Sequence, residues 1–190
     1  MTPPPSRHRP AAADGFWVFG YGSLMWRPGF DCLEVHPATL HGYHRAFCIY
    51  SWRYRGTRSR PGLVLGLDRG GSCRGRAYRV ADQKADAVRR YLDDREMEYE
   101  VYRQLMCRVG LDDGRRVAAL CHVVNRSCRQ YTGRLSEQRT VALVRQGRGI
   151  MGSCGEYLAN TVRHLDEMGI GDGPLHRLES LVRAADRAGD

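Results

Sequence analysis

Two short segments bring together residue types that suit chemistry. In Gly20-Tyr21-Gly22-Ser23, glycines on either side of a tyrosine let the backbone approach a ligand closely, and successive N–H groups of such a turn can converge on an anionic oxygen. The segment begins like a dinucleotide fingerprint, but Met25 stands where the third glycine belongs and Pro28 forbids the helix that would have to follow. Taken alone, it also reads as a strand ending in a glycine turn. The second segment is the acidic run Asp93-Asp94-Arg95-Glu96-Met97-Glu98-Tyr99-Glu100, which by composition is the solvated end of an element. Within it, Glu96 has Met97 and Tyr99 nearby, and apolar cover would raise its pKa toward neutrality and let it move protons at pH 7. In an extended chain Glu98 shares the face of Glu96, so periodicity does not choose between them.

Two other motifs are better explained structurally, and an arginine run stays open between a structural and a binding role. Ser153 sits in Met151-Gly152-Ser153-Cys154-Gly155, close to a nucleophile elbow, yet the first glycine is missing and a helix precedes it; Ser153-x-x-Glu156 is a capping box. Cys121-His122 would point to opposite faces of a strand, and no second ligand pair has metal spacing, so no zinc site is expected. The run Arg53, Arg55, Arg58 and Arg60 around Tyr54 suits a loop framing a small anionic ligand, a solvated loop or a nucleic-acid patch.

The elements that must position these groups follow from pattern. Residues 16–21 are short, aromatic and glycine-bounded, as in a buried first strand. A β-rich block spans residues 32–80, with strands expected at 45–52, 63–67 and 73–80, separated by Pro61-Gly62 and Gly70-Gly71. Asp82 is the expected N-cap of a helix carrying Ala85, Val88, Tyr91 and Leu92 and giving way at the acidic run. Residues 100–111 and 115–124 flank Asp112-Asp113-Gly114 as a hairpin. Helices are expected from Ser136 to Gly147, from Ser153 to about Met168, and over residues 174–186. The order implies a mixed, largely antiparallel α+β domain rather than a regular βα alternation.

The 190 residues fit one domain, expected over 15–186, after a disordered tail at 1–14 that contains three consecutive prolines and no apolar signal region. No apolar run reaches the ~18 residues of a membrane span. Seven cysteines, odd in number and without a C-x-x-C pair, agree with a reducing compartment, so a cytoplasmic address is expected. The formal charge of +9 comes from 30 cationic residues, of which Lys84 is the single lysine; arginines spread along the chain in this way reflect codon bias more than selection for phosphate.

With these residues in order, four segments together resemble the ChaC-type, glutathione-specific γ-glutamylcyclotransferases. They are Trp17-Val18-Phe19-Gly20-Tyr21-Gly22-Ser23-Leu24-Met25-Trp26, then Arg60-Pro61-Gly62-Leu63-Val64-Leu65-Gly66-Leu67, Gly75-x-Ala77-Tyr78-Arg79-Val80, and Tyr91-Leu92-x-x-Arg95-Glu96. The resemblance runs from Phe16 to about Val182. It implies a γ-glutamylcyclotransferase-like mixed α+β fold, with a barrel-like, largely antiparallel sheet and flanking helices. It also implies release of 5-oxoproline and Cys-Gly from glutathione, with no metal or organic cofactor. The family's substrate-cradling turn falls on Tyr21, Gly22, Ser23 and Leu24, and its catalytic glutamate on Glu96. Tyr131, before Thr132-Gly133, resembles a tyrosine that borders the substrate, although Arg134 replaces the family's following proline.

The chemistry so implied needs no enzyme nucleophile. The free α-amine of a γ-glutamyl amide attacks its own γ-carbonyl and closes a five-membered ring, an intramolecular step with a large effective molarity. It does need a proton shuttle and donors for the carbonyl oxygen. The expected partner is a small-molecule substrate, glutathione, with neither nucleic acid nor membrane. The alternatives are a cyclotransferase for other γ-glutamyl amides, an Arg-rich RNA-binding module, and a non-catalytic small-molecule binder on the same fold.

Overall fold

The computed structural model describes residues 15–96 and 101–188, so the expected tail at 1–14 lies outside the described residues. The chain opens with β1 (Phe16–Gly20), buried along its whole length. Its alternate residues serve two cores: Trp17 and Phe19 enter the larger one, while Phe16 and Val18 join a second with Val80, Val88, Leu92 and Leu120. A strand buried on both faces reads as a continuous apolar run, which is why this segment carries no alternation. One 3₁₀ turn, Ser23–Met25, follows β1, and Pro28 and Gly29 come just after it.

Two long strands, β2 (Glu34–Ser51) and β3 (Gly62–Val80), replace the three shorter ones expected in this block. They pair antiparallel from Glu34↔Arg79 to Ser51↔Gly62, so the arginine-rich residues 52–61 form the loop at one end of the hairpin. Gly70-Gly71 does not separate strands. The register shifts between His41↔Ser72 and Tyr43↔Arg69, and Gly42, Gly70 and Gly71 all have positive φ, so these glycines absorb a bulge within a continuous ladder.

A 3₁₀ turn, Asp82–Lys84, leads into α1 (Ala85–Glu96); the N-cap position is Ala81, so Asp82 opens the turn rather than capping it. The helix also continues into the acidic stretch, as far as Glu96, instead of ending before it. Asp93 and Asp94 face solvent while Leu92 is fully buried, so the charges cost the helix little, and Arg95 in the last turn suits the helix dipole. β4 (Tyr102–Leu111) and β5 (Arg116–Val124) form the expected hairpin.

The five strands close a barrel in the order β1-β3-β2-β4-β5. Closure comes from parallel pairing of β1 with β5 at Trp17↔Ala119 and Val18↔Leu120, whereas the pairings β1–β3, β2–β3, β2–β4 and β4–β5 are antiparallel. The helices α2 (Glu137–Gln146), α3 (Cys154–Glu167) and α4 (Gly173–Arg187) pack Leu143, Leu158, Leu165 and Leu175 into the larger core. Between α2 and α3, β6 (Arg148–Gly149) and β7 (Gly152–Ser153) pair briefly. Ser153 caps α3 in a reciprocal box with Glu156, as its spacing implies. Among the described residues, no helix is long and apolar enough to cross a membrane.

Candidate active site

The turn after β1 is held from three sides. Tyr21 packs into the larger core, while Leu24 packs in the second core beside Val88 and Leu92 of α1. Arg45 of β2 is 3 % exposed. Its Nε donates to the Tyr21 carbonyl, its Nη2 to the Arg74 carbonyl at 2.6 Å, and its Nη1 to Asp172 Oδ2 at 2.6 Å. The Tyr78 hydroxyl lies 2.9 Å from the carbonyls of both Leu24 and Met25. Gly22 and Ser23 carbonyls accept from Met25 and Arg27 amides at 2.9 and 2.8 Å. With the turn's carbonyls engaged in this way, the N–H side is what it can offer a ligand, because the first amides of a 3₁₀ turn have no acceptor within it.

The end of α1 is pinned against this turn. Arg95 donates from Nη2 to Ser23 Oγ at 2.8 Å and from Nη1 to the Arg27 carbonyl at 2.8 Å and the Tyr91 hydroxyl at 2.7 Å. Glu96 is the next residue and the last of α1. Its side chain lies outside the described residues, as do Met97, Glu98, Tyr99 and Glu100.

All four turn residues, Tyr21, Gly22, Ser23 and Leu24, line a chamber of about 40 Å³ together with Leu65, Tyr102, His122 and Tyr157. Ser23, Tyr102 and Tyr157 also line a larger cleft of about 430 Å³, within the range of small-molecule sites. Asp94 and Arg95 of α1 and Arg53, Tyr54 and Arg55 of the hairpin loop contribute to its wall. Arg55 is itself anchored: it donates to the Met151 carbonyl and stacks over the Tyr157 ring at 5.0 Å. Arg58 stacks over Trp52 at 4.9 Å, and neither it nor Arg60 is in the cleft wall.

Tyr131 is not brought to the turn. It bridges to Ile49, its hydroxyl donates to Asp68 Oδ2 at 2.9 Å, and it lines a separate cavity of about 850 Å³ with Arg126, Arg134 and residues of α4. Among the described residues, no group of three or more His, Cys, Asp or Glu side chains has an arrangement that would hold a metal ion.

Several wall residues are not evident from the motifs. Tyr102 of β4 donates to the Leu65 carbonyl at 2.7 Å, and Tyr157 enters from the first turn of α3. Neither sits in a segment with a chemical signature. Arg45 has the alternating strand position of any inward residue, and only its burial marks it. His122 draws notice in the sequence as a metal ligand beside Cys121, but the strand sends Cys121 into the core and leaves His122 on the chamber wall.

Residues 16–185 match the profile of a family described as ChaC-like protein. The glutathione-specific γ-glutamylcyclotransferase of Escherichia coli (strain K12) is 35 % identical over 167 residues, covering 88 % of this chain and 72 % of that protein. The mouse glutathione-specific γ-glutamylcyclotransferase 1 is 30 % identical over 197 residues, covering 100 % of this chain and 86 % of that one. Among solved structures, a γ-glutamyl cyclotransferase specific to glutathione from yeast superimposes with a TM-score of 0.81 at 23 % identity, covering 90 % of this chain and 96 % of that one. That likeness is one of fold, and the fold is the one expected from the four ordered segments.

Proposed function

Because the chain belongs to the ChaC-like protein family, we propose that it is a glutathione-specific γ-glutamylcyclotransferase, converting glutathione to 5-oxoproline and Cys-Gly. The observation that supports the site assignment is the clamp of Arg95 on Ser23, which ties the last turn of α1, where Glu96 is the final residue, to the turn after β1. Glu96 takes a proton from the substrate's α-ammonium, and the freed amine attacks the γ-carbonyl carbon. N–H groups of the turn hold the carbonyl oxygen as it gains charge. The bond from the γ-carbon to the cysteine nitrogen then breaks as Glu96 gives its proton to that nitrogen, and the second proton shed by the ring nitrogen passes to the released amine, which leaves as an ammonium. The ring-closing amine is part of the substrate, so the protein's main contribution is to hold the chain folded.

The larger cleft takes the Cys-Gly portion. Arg53 and Arg55 make its wall basic, which suits the glycine carboxylate of a tripeptide with two carboxylates and one ammonium. Tyr131, bonded to Asp68 in the separate cavity, is given no part in the chemistry. Residues 15–186 act as one catalytic domain, and the odd, unpaired cysteine pattern supports work in the cytoplasm.

The test is direct. Purified protein is incubated with reduced glutathione and with a panel of γ-glutamyl dipeptides, and 5-oxoproline and the released amine are measured. Equimolar 5-oxoproline and Cys-Gly from glutathione, with much slower dipeptide turnover, is expected. Equal turnover of the dipeptides would make the enzyme a general γ-glutamyl amide cyclotransferase. No product from any of them would overturn the reading.

A further inference from the structure

His122 is 1 % exposed and lines the chamber formed by the turn, yet its Nδ1 has no hydrogen-bond partner among the described residues. The other ring nitrogen is committed. Gln104, opposite His122 in the β4–β5 ladder, places its side-chain nitrogen 3.3 Å from His122 Nε2 and hydrogen-bonds the Asp93 carboxylate with that same nitrogen. An ionised carboxylate only accepts, so the Gln104 amide must turn its NH₂ group toward Asp93. That NH₂ group has no lone pair to offer His122, so Nε2 must be the acceptor. The single proton of the neutral ring is therefore on Nδ1.

A buried donor without a partner is costly, and structures rarely keep one without a use for it. We infer that His122 is a substrate-binding residue, whose neutral Nδ1–H donates to an acceptor oxygen of the γ-glutamyl group seated in the chamber. The inference rests on the proposed cyclotransferase activity and adds a residue to its site. Burial pushes the His122 pKa down to about 4; Asp93 opposes that shift and Arg95 adds to it, so the ring stays neutral across the physiological range and acts as a donor rather than a base. Asp93, Gln104 and His122 thus form a relay that sets the tautomer and carries no proton.

Two measurements test this. In the wild-type protein, long-range proton–nitrogen correlation spectra of the histidine rings are recorded from pH 5 to 8. Protonated Nδ1, unprotonated Nε2 and a shift of both on adding 5-oxoproline are expected. An Nε2–H tautomer, or no response to 5-oxoproline, overturns the inference. In kinetics, His122→Phe and His122→Gln should lower kcat/KM for glutathione by roughly 10- to 100-fold. His122→Asn, whose amide nitrogen falls near the Nδ1 position, should recover part of the activity that His122→Phe loses. A rise in KM alone would place the bond on the substrate carboxylate, and a fall in kcat would place it on the γ-carbonyl oxygen. Wild-type kcat/KM in a folded His122→Phe overturns the role. If the wild-type protein turns over no glutathione, the proposed function fails, and the ring spectra with 5-oxoproline still decide the role of His122.

Discussion

Glu96 follows the arginine that grips Ser23, so its backbone position is set by the same clamp that orders the turn. Glu96→Gln keeps shape and hydrogen-bonding capacity but cannot shuttle a proton. It is expected to lower kcat by ~10²- to 10⁴-fold with unchanged circular dichroism, while Glu98→Gln and Glu100→Gln have smaller effects. Near wild-type kcat in Glu96→Gln would move the shuttle elsewhere. Gly22 permits a cleaner test of the cradle. A Cβ built there meets only Leu65 Cδ1, at an ordinary 3.8 Å, and Leu65 is itself a chamber wall. Gly22→Val should therefore melt close to the wild-type temperature while losing roughly 10- to 100-fold in kcat/KM, because its side chain fills space the γ-glutamyl group needs. His122 predicts a pH effect on stability. Its folded pKa of about 4 lies below the ordinary histidine value of 6.5, so between those values the unfolded chain binds a proton that the folded one does not. Stability then rises with pH through this window, by on the order of 3 kcal/mol for this group. Urea unfolding from pH 4 to 7 should show the wild type losing stability relative to His122→Phe as the pH falls; a difference that does not change with pH would contradict it.

Between elements, Arg45 and Asp172 couple the barrel to α4. Asp172 caps that helix through Oδ1, accepting from the Leu175 amide at 3.2 Å, and uses Oδ2 for the buried Arg45 guanidinium. Since Arg45 also holds the Tyr21 carbonyl, this pair braces the turn. Asp172→Asn retains an acceptor for the cap but turns a donor toward a buried cation. It is expected to cost about 3 kcal/mol by chemical denaturation and to raise KM for glutathione through the loosened turn. A loss no larger than that of an ordinary surface substitution would show that the pair is not a brace. The capping box at Ser153 is legible without coordinates because both partners lie within one helical turn. The bulge at Gly70-Gly71 is not: glycines at positive φ serve a tight turn and a bulge equally well, and only the partner strand, with Gly42 opposite, decides between them.

On the scale of the molecule, part of the basic charge is paired locally. Arg79 and Arg115 hold Glu34, Arg126 holds Asp68, Arg145 holds Asp186 and Arg177 holds Glu137, at scattered surface positions. Arg79, Arg115 and His36 together keep the Glu34 carboxyl at about 2, with Arg115 the largest contributor. Such dispersed pairs make no continuous track for a phosphate backbone. The proposed proton transfer calls on a side-chain carboxyl and the substrate's own amine, so turnover of glutathione is expected to persist in excess chelator. Loss of activity on chelation with recovery on adding zinc would require a different mechanism.

What the sequence by itself determined is what local and ordered signals encode: a buried first strand, a glycine turn, capped helices, a mixed α+β architecture, and four segments whose order identifies the family. The barrel's closure, the walls of the chamber and the separation of Tyr131 from the turn were decided only by the tertiary structure. Parallel contact between β1 and β5 joins residues about a hundred positions apart, and no local periodicity reports such a pairing. Likewise Arg95 meets Ser23, and Asp93, Gln104 and His122 align, only because α1 and the β4–β5 hairpin pack beside the same strand. A hydrogen-bonding partner is set by where a backbone delivers a side chain, and that depends on the packing of the whole chain.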